Sequence, residues 1–440
     1  MSAARALAAI MVPLYLATRG YSGLRLGTLF LAAALVALLI STTVGLAADR
    51  VGRKPFLVAV PFLVTVAGAL FALVTRDWIL FAGAALGGVG RGAGAGAGAV
   101  GPYQPAESAY VTDAVLPRWR NDAFARLSFT SSLGALLGGL LAVFLSPGHV
   151  EGSRAFQAYR PAFVAVALLG GIAGVAAIWI HETRGARNTG AGSGDGGGGG
   201  AGAGGGGGGA GGGGGAMKTA RRGVFPRRSL PVLIRLWLTN TVNGFAVGMF
   251  GPFVTYWLYR RYGVGAGTIG LLYTITNIVT LGSALVAAPL ARRFRTVRTV
   301  TAVRVVQALL LVPIALSPFF WLAGLLYVIR MFAQRIGMPL RQSYVLALAD
   351  PEERSSVAAL ANLPSQAAMA GSPVLAGYLF DEVSLALPLE IGGLLQLVNA
   401  GLYYLFFHGI LPEEERGGGE AGSSADADSH GVALVREGEE

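Results

Sequence analysis

Gly45-Leu46-Ala47-Ala48-Asp49-Arg50-Val51-Gly52-Arg53-Lys54-Pro55-Phe56-Leu57 is a short charged break between two apolar runs, 25 to 47 and 56 to 75. Gly52 supplies the backbone freedom for a tight turn between antiparallel helices. Asp49 can accept hydrogen bonds from the N-terminus of a neighbouring helix, where the dipole favours an anion. Arg53 can pair with a carboxylate such as Glu107. A solvated basic loop facing anionic lipid accounts for Arg50 and Lys54. It does not account for an aspartate flanked by Gly45 and Gly52 at these offsets.

Working outward from this break, the chain divides into twelve apolar runs, each close to the roughly 20 residues needed to cross ~30 Å of hydrocarbon. The first six are 2 to 18, 25 to 47, 56 to 75, 78 to 101, 122 to 146 and 161 to 181. The second six are 236 to 258, 267 to 290, 300 to 317, 319 to 340, 356 to 380 and 388 to 410. The 440 residues are 53% hydrophobic and 13% charged, against about 25% charged in a soluble domain. An all-α integral membrane protein follows.

The first run is short, and Arg5 followed by Ala6 to Ala17 can also be read as a secretory signal. A first crossing is the preferred reading, because removing it leaves eleven runs and breaks the division into six and six. Residues 190–216 are almost pure glycine and alanine, which predicts a flexible linker between bundles at 1–189 and 217–411. The tail, 412–440, is acidic and polar and is expected to be disordered. With the N-terminus inside, Arg and Lys number twenty in the inner segments and seven in the outer ones. That bias places both termini and the linker in the cytoplasm.

Several function classes fall away. There are no cysteines, and the four histidines lie far apart in loops, at run ends or in the tail. No metal site, thiol nucleophile or charge relay can be drawn from them, and neither a cofactor nor an enzyme is expected. The formal charge of +11 is spread singly or in small clusters between apolar runs, which speaks for lipid and against nucleic acid. A nucleotide-binding glycine loop ending in Lys-Ser or Lys-Thr is absent, so ATP does not drive the protein directly.

The two halves repeat. Pro105, Glu107, Tyr110 and Val111, continuing to Pro117 and Arg120, align with Pro339, Arg341, Tyr344 and Val345, continuing to Pro351 and Arg354, at a constant offset of 234 residues. Two parallel six-helix repeats place a solute site at their interface near the bilayer midplane. The stretch from Gly45 to Leu57 closely resembles the cytoplasmic signature of the major facilitator superfamily. The resemblance extends over the whole chain through its twelve runs, the long loop between halves and Arg91 in the middle of the fourth run.

That resemblance implies two pseudo-symmetric bundles working by alternating access. It also implies a latch that holds the outward-facing state through Asp49, Arg50 and Arg53, with Gly45, Gly52, Lys54 and Glu107 around it. The corresponding loop of the second half, Ala288 to Arg295, has neither the aspartate nor the glycine, which makes a second latch doubtful. Runs one, four, seven and ten would line the cavity, which selects Tyr15, Arg91, Asn240, Asn243, Arg330, Gln334 and Arg335.

Ionisable side chains at membrane depth are costly, about 2.5 to 3.5 kcal/mol for arginine on insertion scales. Arg91 and Arg330 are therefore candidates for substrate or coupling roles, with packing as the plain alternative. For each Asn or Gln the plain reading is an interhelical hydrogen bond. No Asp or Glu falls near the middle of any run, which disfavours organic cations and leaves a proton or another coupling ion without an obvious carrier. The fifth run lacks the Gly-Pro pair that marks the family's drug-proton antiporters. The expected function is a secondary transporter, an efflux permease among its forms, acting as a monomer in the plasma membrane on an anionic or neutral organic solute. A sensor or scaffold with a transporter-like fold stays open from sequence, and a membrane lipid enzyme lacks a visible nucleophile, metal or acid pair.

Overall fold

The computed structural model describes residues 1–51, 54–87, 119–148, 154–179, 229–283, 286, 296–348, 357 and 360–409. The described part of the first half holds α1 (Ser2–Thr18), α2 (Gly23–Val51), α3 (Lys54–Leu73), α4 (Asp77–Gly87), α5 (Arg120–Phe144) and α6 (Ala155–Ile178). The second holds α7 (Leu230–Phe250), α8 (Val254–Tyr262), α9 (Ala266–Leu281), α10 (Thr296–Leu316), α11 (Phe320–Leu348), α12 (Leu363–Glu382) and α13 (Leu387–Phe407). Six of these carry an apolar window long enough to cross a membrane, namely α2, α3, α5, α6, α10 and α13. The glycine linker, the acidic tail, Gly52, Arg53, Arg91 and Glu107 lie outside the described residues. So do the side chains of Gly45, Asp49 and Arg50, whose backbone continues α2.

Helix limits depart from the apolar runs where a local rule intervenes. The seventh run is broken into α7 and α8 by a 3-10 turn, Gly251–Phe253. Pro252 lacks the N–H that would continue the ladder, and its ring clashes with the preceding turn. The helix of the eleventh run, α12, starts at Leu363 with Pro364 in its first turn, where a missing N–H costs nothing. The tenth runs past its apolar part through Arg341 to Leu348, since a helix has no reason to stop where hydrocarbon ends.

Each bundle is built on a trio of packed helices. In the first, α1, α3 and α6 meet through Tyr15, Phe71, Tyr159 and Phe163, with ring centroids 5.1 to 6.4 Å apart. Gly68 lets α3 approach α6 closely, because a Cβ there would stand 2.7 Å from the Ala167 nitrogen. In the second bundle the corresponding helices α7, α10 and α13 share an apolar cluster of Leu233, Leu236, Val297, Val300, Tyr403 and Phe407, with the polar groups described below added beside it.

The bundles are joined at one end, here called the far end, which carries the α1–α2 turn at Gly20. Asp381 at the end of α12 accepts hydrogen bonds from the Gly23 and Leu24 amides, both at 2.8 Å. The N-terminus of α2 thus gains an anion where its free amides and dipole favour one. The Gly267 amide donates to Ser146 Oγ at 2.8 Å, joining α9 to α5. A side chain at Gly27 would run into the Pro373 carbonyl, so α2 and α12 can touch there only as glycine against backbone. Toward the near end the same pair diverges. Phe30, Leu31, Ala34, Leu35 and Leu38 face Gln366, Ala367, Met369 and Ala370 across a cavity of about 210 Å³. The three described hydrogen bonds that cross between bundles each lie at the far end.

Candidate solute site

Arg330 lies on α11 beside the break in the seventh crossing. Its guanidinium carbon stands 5.8 Å from the centroid of the Phe250 ring, the last residue of α7. The side chain is 6% exposed, and its Nε has no hydrogen-bond partner. Tyr327, one turn earlier, packs its ring 6.0 Å from Tyr273 of α9, whose hydroxyl is 2.9 Å from Thr255 of α8. The site is therefore aromatic, with one buried cation placed where α7 gives way to α8. The carboxylates whose side chains are described, Asp77, Asp381, Glu382 and Glu390, all sit at helix ends. The one described salt bridge, between Arg19 and Asp77 at 3.6 Å, lies at the far end.

The residues expected to surround the solute are divided by the structure. Tyr15 is fully enclosed among Phe71, Tyr159 and Phe163, and its hydroxyl meets Arg19 at 3.4 Å. It belongs to the packing of the first bundle. Asn240 is 2% exposed and ties three elements together. Its Nδ2 donates to the Ala361 carbonyl at 2.7 Å, and its Oδ1 accepts from Arg341 at 2.9 Å. Ten residues of helix at about 1.5 Å each separate it from Phe250, so it is roughly 15 Å along α7 from Arg330. Asn243, Gln334 and Arg335 are half-buried, and Lys54 is half-buried at the start of α3.

Sequence reasoning missed the polar centre around Asn240. Arg341 bonds Asn240 and, at 3.3 Å, Asn362. Arg304 of α10 bonds Asn399 of α13, which in turn donates to the Thr239 carbonyl of α7. The signal for Arg341 was present in the repeat, where it stands opposite Glu107. Arg304 lay in full view inside the ninth run. Asn399 gave no signal, because a lone asparagine in an apolar helix has no pattern.

The fold has many solved counterparts. A bacterial homologue of the human lysosomal transporter Spinster, in an inward-facing and unoccupied conformation, matches with a TM-score of 0.62 at 15% identity, over 92% of this chain and 93% of that one. The nucleoside transporter NupG matches with a TM-score of 0.66 at 10% identity, over 92% and 96%. The human organic anion transporter MFSD10 matches with a TM-score of 0.56 at 15% identity, over 91% and 96%. A search of curated protein sequences gave no match. The sequence model of the Major Facilitator Superfamily matches residues 1–234 and 236–435, nearly the whole length. Twelve crossings in two repeats, a seam closed at one end and this family match lead to one conclusion: the chain belongs to the Major Facilitator Superfamily.

Proposed function

We propose that the solute carries an anionic group and that Arg330 is the residue that meets it. The protein is a secondary transporter working by alternating access, as its family is. The observation that supports an anion is Arg330 itself, buried on α11 with an unpartnered Nε and, among the described residues, no carboxylate paired to it. A charge so placed is expensive unless something offsets it, and a carboxylate or phosphate could do so through paired hydrogen bonds. Phe250 and Tyr327 offer apolar walls for the rest of the molecule. The solved counterparts do not decide the substrate, since one is a nucleoside transporter and another an organic anion transporter.

The charge bias between loops puts the far end outside the cell and both termini within it. On that reading the closed seam at Asp381 and Ser146 makes this an inward-facing state, and the signature around Asp49, with Arg50, Arg53 and Glu107, closes the opposite end in turn. The glycine linker then only has to keep the bundles on one chain, and a single chain holds the whole path. A proton or another ion as driver is tested by imposing its gradient.

The deciding measurement is solute binding and counterflow in liposomes, with paired anionic and neutral analogues, for the parent protein, Arg330→Lys and Arg330→Gln. The glutamine variant is expected to lose anionic analogues by about tenfold or more, the scale of one charged hydrogen bond, and to keep neutral ones. Equal binding of both classes by all three proteins would make Arg330 a packing residue. Stabilisation by solutes without any flux would favour a sensor.

A further inference from the structure

Inside the second bundle a continuous polar network runs from α11 to α13. Arg341 donates to Asn240 and Asn362. Thr239, next to Asn240, gives its carbonyl to Asn399, whose Oδ1 is taken by Arg304. The Arg304 guanidinium lies 4.6 Å from the centroid of the Tyr403 ring. Tyr344 of α11, three residues after Arg341, packs its ring 6.4 Å from that of Tyr403, so the turn that carries Arg341 adjoins the same tyrosine. Every acceptor described for these two guanidiniums is an uncharged asparagine oxygen or an aromatic face. Two half-buried positive charges therefore stand in one network with no described carboxylate paired to either.

A second observation points to what completes the centre. The Tyr403 hydroxyl, on a side chain only 1% exposed, makes no hydrogen bond. Such a group ordinarily finds a partner, because leaving it bare costs about 1 to 3 kcal/mol. A hydroxyl that can donate, beside two guanidiniums with N–H groups to spare, matches an acceptor of negative charge and small size. A cation is repelled by both arginines. The transported solute is also a poor occupant of the Arg304 end of the network, because Arg304, Asn399 and Tyr403 lie on α10 and α13, neither of which lines the α2–α12 cavity.

We propose that a small inorganic anion of the chloride class binds between Arg304 and Arg341, with the Tyr403 hydroxyl donating to it. The anion would offset the repulsion of the two charges and hold α10, α11 and α13 in register. Formation of the site then depends on the anion, and so does the rigidity of the second bundle. This site is independent of Arg330 and of the solute assigned to it.

Thermal unfolding of the purified full chain in chloride, bromide or gluconate, at matched pH and ionic strength, tests the site. Chloride and bromide are expected to raise Tm over gluconate with a saturable dose dependence. Tyr403→Phe keeps the ring and its contact with Arg304, and is expected to weaken the apparent chloride affinity about tenfold, the scale of a hydrogen bond to a charge. Arg304→Gln should abolish the response, and Arg330→Gln should leave it intact. A bromide anomalous-scattering peak beside the Tyr403 hydroxyl would locate the ion. Identical Tm values in chloride and gluconate, or a chloride response unchanged in Tyr403→Phe, would overturn the proposal and leave water or nothing at the hydroxyl. Should Arg304→Gln fail to fold, the phenylalanine variant and the bromide peak decide.

Discussion

The two bundles bring corresponding helices together over apolar contacts, and the second adds a polar network that the described part of the first lacks. Where α1, α3 and α6 meet, the contact is a nest of four aromatic rings. Where the corresponding helices α7, α10 and α13 meet, an arginine bonded to an asparagine bonded to a backbone carbonyl is added to an apolar cluster that includes the rings of Tyr403 and Phe407. The fold evidently accepts either. Between helices in lipid there is little hydrophobic gain, so rings hold by close contact and polar groups by hydrogen bonds with no alternative partner nearby. Two charges in the second nest add a cost that packing alone would not select. Among the described residues the aromatic nest of the first bundle holds no such pair, and the anion proposed above would account for the difference.

Deletions in the two nests give the largest expected contrast. Asn240→Ala strands the Ala361 carbonyl and removes an acceptor from Arg341, for a loss of about 3 kcal/mol. Phe163→Ala, which forfeits packing without a hydrophobic term, should cost less, about 1 to 2 kcal/mol. Thermal unfolding in detergent compares them, and equal or reversed losses would break the distinction between nests.

A smaller effect is expected at the seams, where the two ends can be set against each other. Asp381→Asn removes the charge that faces two amides of α2, worth about 0.5 to 1 kcal/mol, and should tilt the population toward an open far end. Asp49→Asn should tilt it the other way if the signature latches the near end. The native chain has no cysteine, so single cysteines introduced on each face report the shift cleanly by labelling. Unchanged labelling in both variants would remove the latch role from both carboxylates.

The smallest change sharpens the comparison most. Arg304→Met combined with Asn399→Leu turns the polar nest into an apolar one like its counterpart. Stability in gluconate should stay within about 1 kcal/mol of the parent or rise, since apolar replacements of buried charged groups are often neutral or better. The chloride response should vanish. A large loss of stability in gluconate would mean that the network is structural in its own right.

The sequence by itself determined the class, the crossings and the repeat. Hydrocarbon thickness imposes one run length on every span, so α1 and α3 could be placed within a few residues from composition. The stretch from Gly45 to Leu57 pointed to the family because its aspartate, glycine and basic residues stand at the spacing of the family's signature. Arg330 was legible for a related reason: a charge in an apolar run is conspicuous whatever surrounds it. Tertiary structure alone decided what each polar group touches. Asn240 and Arg330 sit on helices that sequence assigns to one cavity, yet they stand at different levels, since about 15 Å of helix lies between Asn240 and Phe250, beside which Arg330 packs. Tyr15 turned into a packing ring because Phe71 and Phe163, far away in the chain, close over it. The Arg304–Asn399 contact joins α10 to α13 across 95 residues, and no local spacing encodes such a pair. Periodicity records how each helix faces lipid, while the partners of buried polar groups depend on which helices the bundle brings side by side.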